Sequence, residues 1–130
     1  MLAESITLDA ADGTDVVYKL IRSNASGTTR IDVATNLSAP ALMEIKHETR
    51  GRGSDALDRH LVSLSRTVID SQGVPRVLTC NFTVAVPRAA VVTQAMVRNI
   101  ISNMIDFMAD GAIATLATTA NIDALLRGES

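Results

Sequence analysis

A chain of 130 residues has room for one domain with a modest core. Its formal net charge of -2 argues against a generally basic nucleic-acid binder, although a local basic patch remains compatible with it. The N-terminus lacks the basic and apolar regions of a signal peptide, and no apolar run reaches membrane-spanning length. We therefore expect a cytoplasmic protein that does not contact a membrane.

The first part of the chain predicts a β-hairpin. Apolar residues alternate with polar ones around Ile6 and Leu8, Asp12-Gly13 is a favoured hairpin turn, and residues 16–21 give a second strand. A polar loop is expected over residues 23–29, because this stretch is rich in Ser, Asn, Gly and Thr.

The next part predicts the main sheet. A short strand around Ile31 and Val33 precedes Asn36, and three long strands follow between Pro40 and Pro87. Period-two alternation in the long strands is typical of an antiparallel sheet with one buried face. The apolar positions on that face are Met43, Ile45, His47, His60, Val62, Leu64, Val68, Leu78, Cys80, Phe82, Val84 and Val86.

The turns between the long strands lie at residues 50–55 and 70–75. If the second turn centres on Gly73, Val68 faces Leu78. Apolar side chains then stay on one side, whereas a slip of one residue would turn them into water.

From Ala89 onward the apolar residues follow a helical period. Gly111 is well placed to end this first helix. A second, weaker helix is expected within residues 112–126, most clearly at 122–127. The first helix carries a broad apolar stripe made of Val92, Met96, Val97, Ile100, Ile101, Met104, Ile105 and Met108.

These elements predict an α+β fold with an N-terminal β-hairpin, a five-stranded antiparallel sheet and two C-terminal helices. We expect a single domain over residues 1–130, with the hairpin in 1–22, the sheet in 28–87 and a helical dimerisation segment in 88–130. Only the helices can cover the apolar sheet face, and their stripe is wider than one contact needs. This favours an exchange of helices between two subunits. Burial of apolar area stabilises by about 25 cal/mol per Å², so the homodimer is expected to be obligate. The expected interface residues are Met96, Val97, Ile100, Ile101, Met104, Ile105 and Met108.

The side chains with reactive groups do not predict an active site. His47 and His60 can meet on the apolar face, but two imidazoles are fewer ligands than zinc usually takes. We expect both to be partly buried sheet residues. The single cysteine, Cys80, lies on the same face, where a buried structural thiol is expected. No spacing of Ser, His and Asp suggests a nucleophile with its base. We therefore expect no enzyme, no metal and no cofactor.

The order of elements resembles the coat (capsid) protein of single-stranded RNA bacteriophages, the leviviruses. The likeness covers nearly the whole chain, and residues 77–86 running into residues 91–105 are its nearest part. In that family two subunits interlock their helices over a continuous ten-stranded sheet. Their dimers form an icosahedral shell, and the polar sheet face lines its interior and binds an RNA hairpin.

The resemblance implies a self-assembling structural protein that packages single-stranded genomic RNA. Its location would be the virion and, during assembly, the cytoplasm of a bacterial host. The implied RNA-binding residues are Lys46, Arg50, Arg59, Ser63, Ser65, Thr67, Thr79, Asn81 and Thr83. The implied assembly loop, which gathers around the symmetry axes of the shell, consists of Asp70, Ser71, Gln72, Gly73, Val74, Pro75 and Arg76.

Two other functions stay open. One is a dimeric RNA-binding regulator that never assembles further. The other is an α+β enzyme or small-ligand-binding protein with a pocket between sheet and helices. The sequence disfavours the latter, because a pocket needs convergent polar groups. The covered face offers little beyond His47, His60 and Arg66.

Overall fold

The computed structural model describes residues 2–10, 12–109 and 120–128 and shows an α+β fold. The described part forms one six-stranded antiparallel sheet, with the strands side by side in chain order, and two helices. The strands are β1 (Ser5–Asp9), β2 (Asp15–Asn24), β3 (Gly27–Asp32), β4 (Ala41–Arg50), β5 (Leu57–Ile69) and β6 (Pro75–Pro87), and the helices are α1 (Gln94–Ala109) and α2 (Ala120–Leu126). Neither helix has the length and apolar character needed to cross a membrane.

The chain divides into two compact units. One comprises Met1–Leu8 and Val16–Ala89 and holds most of the sheet. The other comprises Asp9–Asp15 and Ala90–Ser130 and holds both helices.

The predicted N-terminal hairpin is confirmed as β1 and β2, and Gly13 in its turn takes a φ of 85°. The predicted five-stranded sheet is corrected to six strands, because the hairpin continues the main sheet through the pairing of β2 with β3. Strand β3 also ends at Asp32, one residue before the predicted Val33. There the Asp32 Oδ1 accepts a hydrogen bond from the backbone N–H of Ala34 at 3.0 Å and turns the chain.

The predicted loop at residues 23–29 is wrong. Strand β2 runs to Asn24 and β3 begins at Gly27, so only two residues connect them. The Asn24 Oδ1 accepts hydrogen bonds from the backbone N–H groups of Ser26 at 3.0 Å and Gly27 at 2.9 Å. The polar composition therefore builds a tight turn. A Cβ at Gly27 would overlap the carbonyl oxygen of Ile45, so the close approach of β3 to β4 requires glycine here.

The predicted parity of the long strands is confirmed, and one detail of their register is corrected. Val68 lies opposite Arg76, not opposite Leu78. The connection comprises residues 70–74, so its centre lies one residue earlier than Gly73 and the pairing shifts by two. A shift of two keeps the apolar side chains on the same face.

The core lies on the apolar face around β2 and β4. Tyr18, Met43 and Ile45 form its buried cluster. At β6 the same face is open, since Leu78 is 70% exposed and Cys80 is exposed. The expected burial of the Cys80 thiol is therefore wrong, because β6 is an edge strand with a neighbouring strand on one side only. Partly buried residues that pack on the cluster are Ile6, Leu8, Val16, Val62 and Leu64.

Both predicted helices are found within the described residues. Thr93 precedes α1, and its Oγ1 accepts a hydrogen bond from the backbone N–H of Met96 at 3.3 Å, so the helix begins later than Ala89. The Asn121 Nδ2 of α2 donates to the carbonyl oxygen of Phe107 in α1 at 2.8 Å, which joins the two helices. The predicted helix end at Gly111 and the first residues of the second predicted helix, 112–119, lie outside the described residues.

Candidate functional site

The register of β4, β5 and β6 places all nine predicted RNA-binding residues on one face of the sheet. Residues directly opposite in an antiparallel ladder point to the same side. Three rows across β4, β5 and β6 consist of Glu44, Ser63 and Asn81, of Lys46, Leu61 and Thr83, and of Glu48, Arg59 and Ala85. Ser65 faces Thr79 on the same side. Thr67 lies two residues after Ser65 on β5, and Arg50 lies two residues after Glu48 on β4, so both side chains are on this side as well. We call this side the polar face.

Two of the three predicted RNA-binding cations, Lys46 and Arg50, lie beside carboxylates of the same strand. Lys46 Nζ is 2.7 Å from Glu44 Oε2, and Arg50 Nε is 2.8 Å from Glu48 Oε1. The hydrogen bond from Arg50 lowers the pKa of Glu48, and the charge of Arg59 lowers it further. Exposed ion pairs of this kind contribute about 0–1 kcal/mol, so a phosphate can compete for the cations. Arg59 forms no ion pair within the described residues.

A concavity of about 300 Å³ lies on the polar face between β4, β5 and the turn that joins β2 to β3. Two cations line it, Lys46 and Arg59, together with Glu48, and its remaining lining residues are Ser26, Leu61 and Thr83. It can offer positive charge for a phosphate, hydroxyls for sugar or base edges, and one apolar side chain for the face of a base.

Three of these lining residues are not among the predicted RNA-binding residues, namely Ser26, Glu48 and Leu61. Leu61 breaks the polar pattern of its strand face, although its parity with Arg59 and Ser63 already put it there. Ser26 comes from a turn that was predicted to be a longer loop. Its carbonyl oxygen accepts the backbone N–H of His47 at 2.8 Å, which holds the turn against β4.

Asn81 has a fixed orientation on the polar face. The hydroxyl of Ser63 donates to its Oδ1 at 2.6 Å. Its Nδ2 has no hydrogen-bond partner among the described residues and can donate to an acceptor on a bound molecule.

The two histidines meet on the opposite, apolar face, as the sequence predicts. His47 lies directly opposite His60, and their Nδ1 atoms are 2.9 Å apart. Both rings are exposed, contrary to the expected partial burial, because little of the described chain covers this end of the face. Within the described residues, no group of three or more His, Cys, Asp or Glu side chains is arranged to hold a metal ion.

An ion pair next to the histidines joins the C-terminal end of β4, the N-terminal end of β5 and the residue that follows β6. Arg88 donates to both carboxylate oxygens of Asp58, each at 2.9 Å, and Thr49 donates to Asp58 Oδ1 at 2.7 Å. The hydrogen bond from Arg88, followed by that from Thr49, lowers the pKa of Asp58 to about 2.

Most of the predicted interface and assembly residues are exposed, and the others are half-buried. On α1, Ile100 is 68% exposed, Met96, Met104 and Ile105 are exposed, and Val97, Ile101 and Met108 are half-buried. In the loop of residues 70–76, Asp70 Oδ1 accepts the backbone N–H groups of Gln72 and Val74, both at 2.9 Å. The Asp70 Oδ2 accepts Arg76 Nε at 3.2 Å, so this loop has a defined shape.

No protein-family model matches the sequence, and no curated protein matches it. Solved structures do match over nearly the full length. The bacteriophage EMS014 coat protein gives a TM-score of 0.74 at 13% identity, covering 99% of this chain and 98% of that one. The virus-like particle of Beihai levi-like virus 21 gives 0.68 at 13% identity, with 100% and 97% covered. The virus-like particle of bacteriophage AVE019 gives 0.63 at 12% identity, with 98% and 97% covered. The chain therefore has the fold of these particle-forming proteins.

Proposed function

We propose that this chain is the coat protein of a single-stranded RNA bacteriophage. It dimerises, assembles into an icosahedral shell and packages RNA against the polar face. The observation that carries the proposal is the match of the whole chain to the bacteriophage EMS014 coat protein and to two virus-like particles. A two-faced sheet supports it, because one face has the chemistry to bind RNA and the other leaves apolar surface for a second copy.

The free edge of β6 supports dimerisation. This strand has 13 residues, pairs with β5 on one side only and is exposed along most of its length. An uncovered edge presents unpaired backbone groups that pair readily with another strand. Two copies joined there would make a continuous sheet. Strands β2–β6 of each copy account for the ten predicted strands, and β1 adds one more at each outer end.

The exposed stripe of α1 supports an obligate dimer. Ile100 at 68% and Met104 at 50% exposure are unusual for aliphatic side chains of a helix in a small protein. Covering them with the apolar sheet face of a second copy would bury both surfaces at once. The exchanged helices would then place the predicted interface residues between the two subunits.

The concavity of the polar face supports RNA binding. Lys46 and Arg59 would contact phosphates, and Leu61 would lie against a base. Asn81, with its Oδ1 already satisfied, and the threonines on β6 would contribute to base choice. Binding an RNA hairpin on this face would also allow the protein to act as a translational repressor.

The proposal is tested by size and absorbance. The purified protein should elute from a sizing column as a very large particle that absorbs strongly at 260 nm, and nuclease should remove neither property while the shell is closed. A small dimer that never assembles would contradict the coat function and favour the RNA-binding regulator. A monomer without nucleic acid would contradict both.

A further inference from the structure

Arg30 of β3 is a buried cation that has no anionic partner in the part of the chain that the structure describes. Its side chain is 1% exposed, and it is the single buried charged residue within the described part of the chain. Its Nη1 donates to Thr28 Oγ1 at 2.6 Å and its Nη2 donates to the carbonyl oxygen of Ala3 at 2.8 Å. Among the described residues, its Nε finds no hydrogen-bond partner and no carboxylate forms an ion pair with it.

A buried charge of this kind is costly unless an opposite charge compensates it. An unsatisfied buried N–H calls for a ligand, a water molecule or an ion. Neutral acceptors such as a hydroxyl and a carbonyl satisfy hydrogen bonds, but they leave the net charge of the guanidinium uncompensated.

Arg30 belongs to the wall of a cavity of about 210 Å³ on the apolar side of the sheet. Besides Arg30, the polar members of the wall are Ser23, Asn24, Thr28 and His47, and none of the described residues that line it is acidic. Hydroxyl, imidazole and guanidinium groups are the usual donors to phosphate and carboxylate oxygens. The cavity is also separate from the polar face. Arg30 is paired with Met43 of β4, so both side chains lie on the apolar face.

We propose that this cavity is a binding site for a small oxyanion of the phosphate type. The guanidinium supplies the charge and Thr28, Ser23 and His47 supply further donors. The Thr28 Oγ1 already accepts from Arg30, so its own O–H remains available to donate. The bound anion would compensate the buried charge and stabilise the sheet around the turn between β2 and β3.

The test is thermal unfolding of the full-length protein in inorganic phosphate, compared with chloride at the same ionic strength. Phosphate should raise the midpoint of the wild type in a saturable way. Arg30→Met should lower the apparent phosphate affinity by roughly tenfold or more. Arg66→Met is the matched control, because it removes one exposed cation outside the cavity and should leave the phosphate effect unchanged.

Thr28→Val keeps the charge and covers the case in which Arg30→Met fails to fold. It should weaken phosphate binding, measured as broadening of the phosphate signal in ³¹P NMR, by several-fold. An equal phosphate effect in wild type, Arg30→Met and Thr28→Val would overturn the proposal, as would a wild type that responds to phosphate and chloride alike. An unfolding midpoint that depends on protein concentration and not on phosphate would mean that a carboxylate of a second copy compensates Arg30. That result would also overturn the proposal of a bound oxyanion.

Discussion

The hairpin of β5 and β6 has two faces that differ in whether their side chains can form hydrogen bonds with water. On one face Ser63, Asn81 and Thr83 are polar, and Ser63 already donates a hydrogen bond to Asn81. On the other face Val68, Leu78 and Phe82 are 51%, 70% and 37% exposed. Water forms hydrogen bonds with the polar side chains, whereas the contact of the apolar side chains with water is unfavourable. The difference teaches that exposure has to be judged together with chemistry, and it motivates the proposal that the polar face binds RNA and the apolar face contacts a second copy.

The largest expected effect comes from placing a charge in the apolar stripe of α1. Ile101 is half-buried in the single chain and would be buried in the proposed dimer. Ile101→Asp should therefore leave an insoluble or unfolded chain, because an unpaired buried charge costs about 3–5 kcal/mol, against a total stability of about 5–15 kcal/mol. Ser102→Asp is the control on the adjacent, exposed position and should stay soluble and dimeric. Solubility and light scattering measure both. A soluble, folded monomer from Ile101→Asp would contradict the obligate dimer.

Two neighbouring residues of β6 separate the two faces directly. Phe82→Asp introduces a charge on the apolar face and should prevent dimer formation or cause aggregation. Thr83→Asp introduces the same charge on the polar face and should preserve the dimer while weakening RNA binding by roughly tenfold. Sizing and filter binding report the outcomes. Identical behaviour of the two variants would mean that the faces do not divide these tasks.

The loop of residues 70–76 should govern assembly and leave the dimer intact. Asp70 holds this loop through the backbone N–H groups of Gln72 and Val74. Shortening the loop by residues 71–73 should change particle size or yield, because the subunit core does not depend on it. Electron microscopy and sizing measure this. Unchanged particles would show that the loop is only a turn.

A smaller effect concerns pH and the ion pair at the far strand ends. The pKa of Asp58 is about 2 in the folded chain, below the ordinary value of 3.8 for an aspartate. A lowered pKa in the folded state means that the ion pair stabilises fully above about pH 4, and that this contribution is lost as pH falls from 4 toward 2. Arg88→Gln should reduce this loss, whereas Arg66→Gln should not. Urea unfolding at pH 5, 3 and 2 checks it, and equal pH dependence in all three proteins would contradict the role of Arg88.

Much of the fold follows from patterns that the sequence displays. Period-two alternation predicts which residues of β4–β6 share a face. An error of two residues in the register, as for Val68 and Arg76, leaves every side chain on the same face. The helical period located α1. Polar composition misled at residues 23–29, because Asn24 makes a tight turn through its side chain, which composition alone does not distinguish from a loop.

The sequence predicts which face of the sheet carries the candidate site, but it does not predict the concavity on that face. Lys46 and Arg59 were assigned to the correct side, but the concavity also needs Ser26, which a turn supplies from another strand pair. Leu61 carries no sequence signal for RNA binding, because a single apolar residue among polar ones has no group that indicates a phosphate or sugar contact. The exposure of Cys80 depends on β6 being an edge strand, and edge position is a property of the whole sheet and not of a local pattern.

The central claim is that the polar face holds RNA, and salt dependence tests it most directly. Dimers of the wild type and of Lys46→Ala/Arg59→Ala are compared by filter binding across a salt series, with Arg66→Ala/Arg98→Ala as a control that removes two exposed cations elsewhere. Each lost phosphate contact should flatten the slope of log affinity against log salt by about 0.7, so the double variant should lose about 1.4 and bind all RNAs more weakly. The control should keep the wild-type slope. Equal affinity and slope in the wild type and Lys46→Ala/Arg59→Ala would contradict the account.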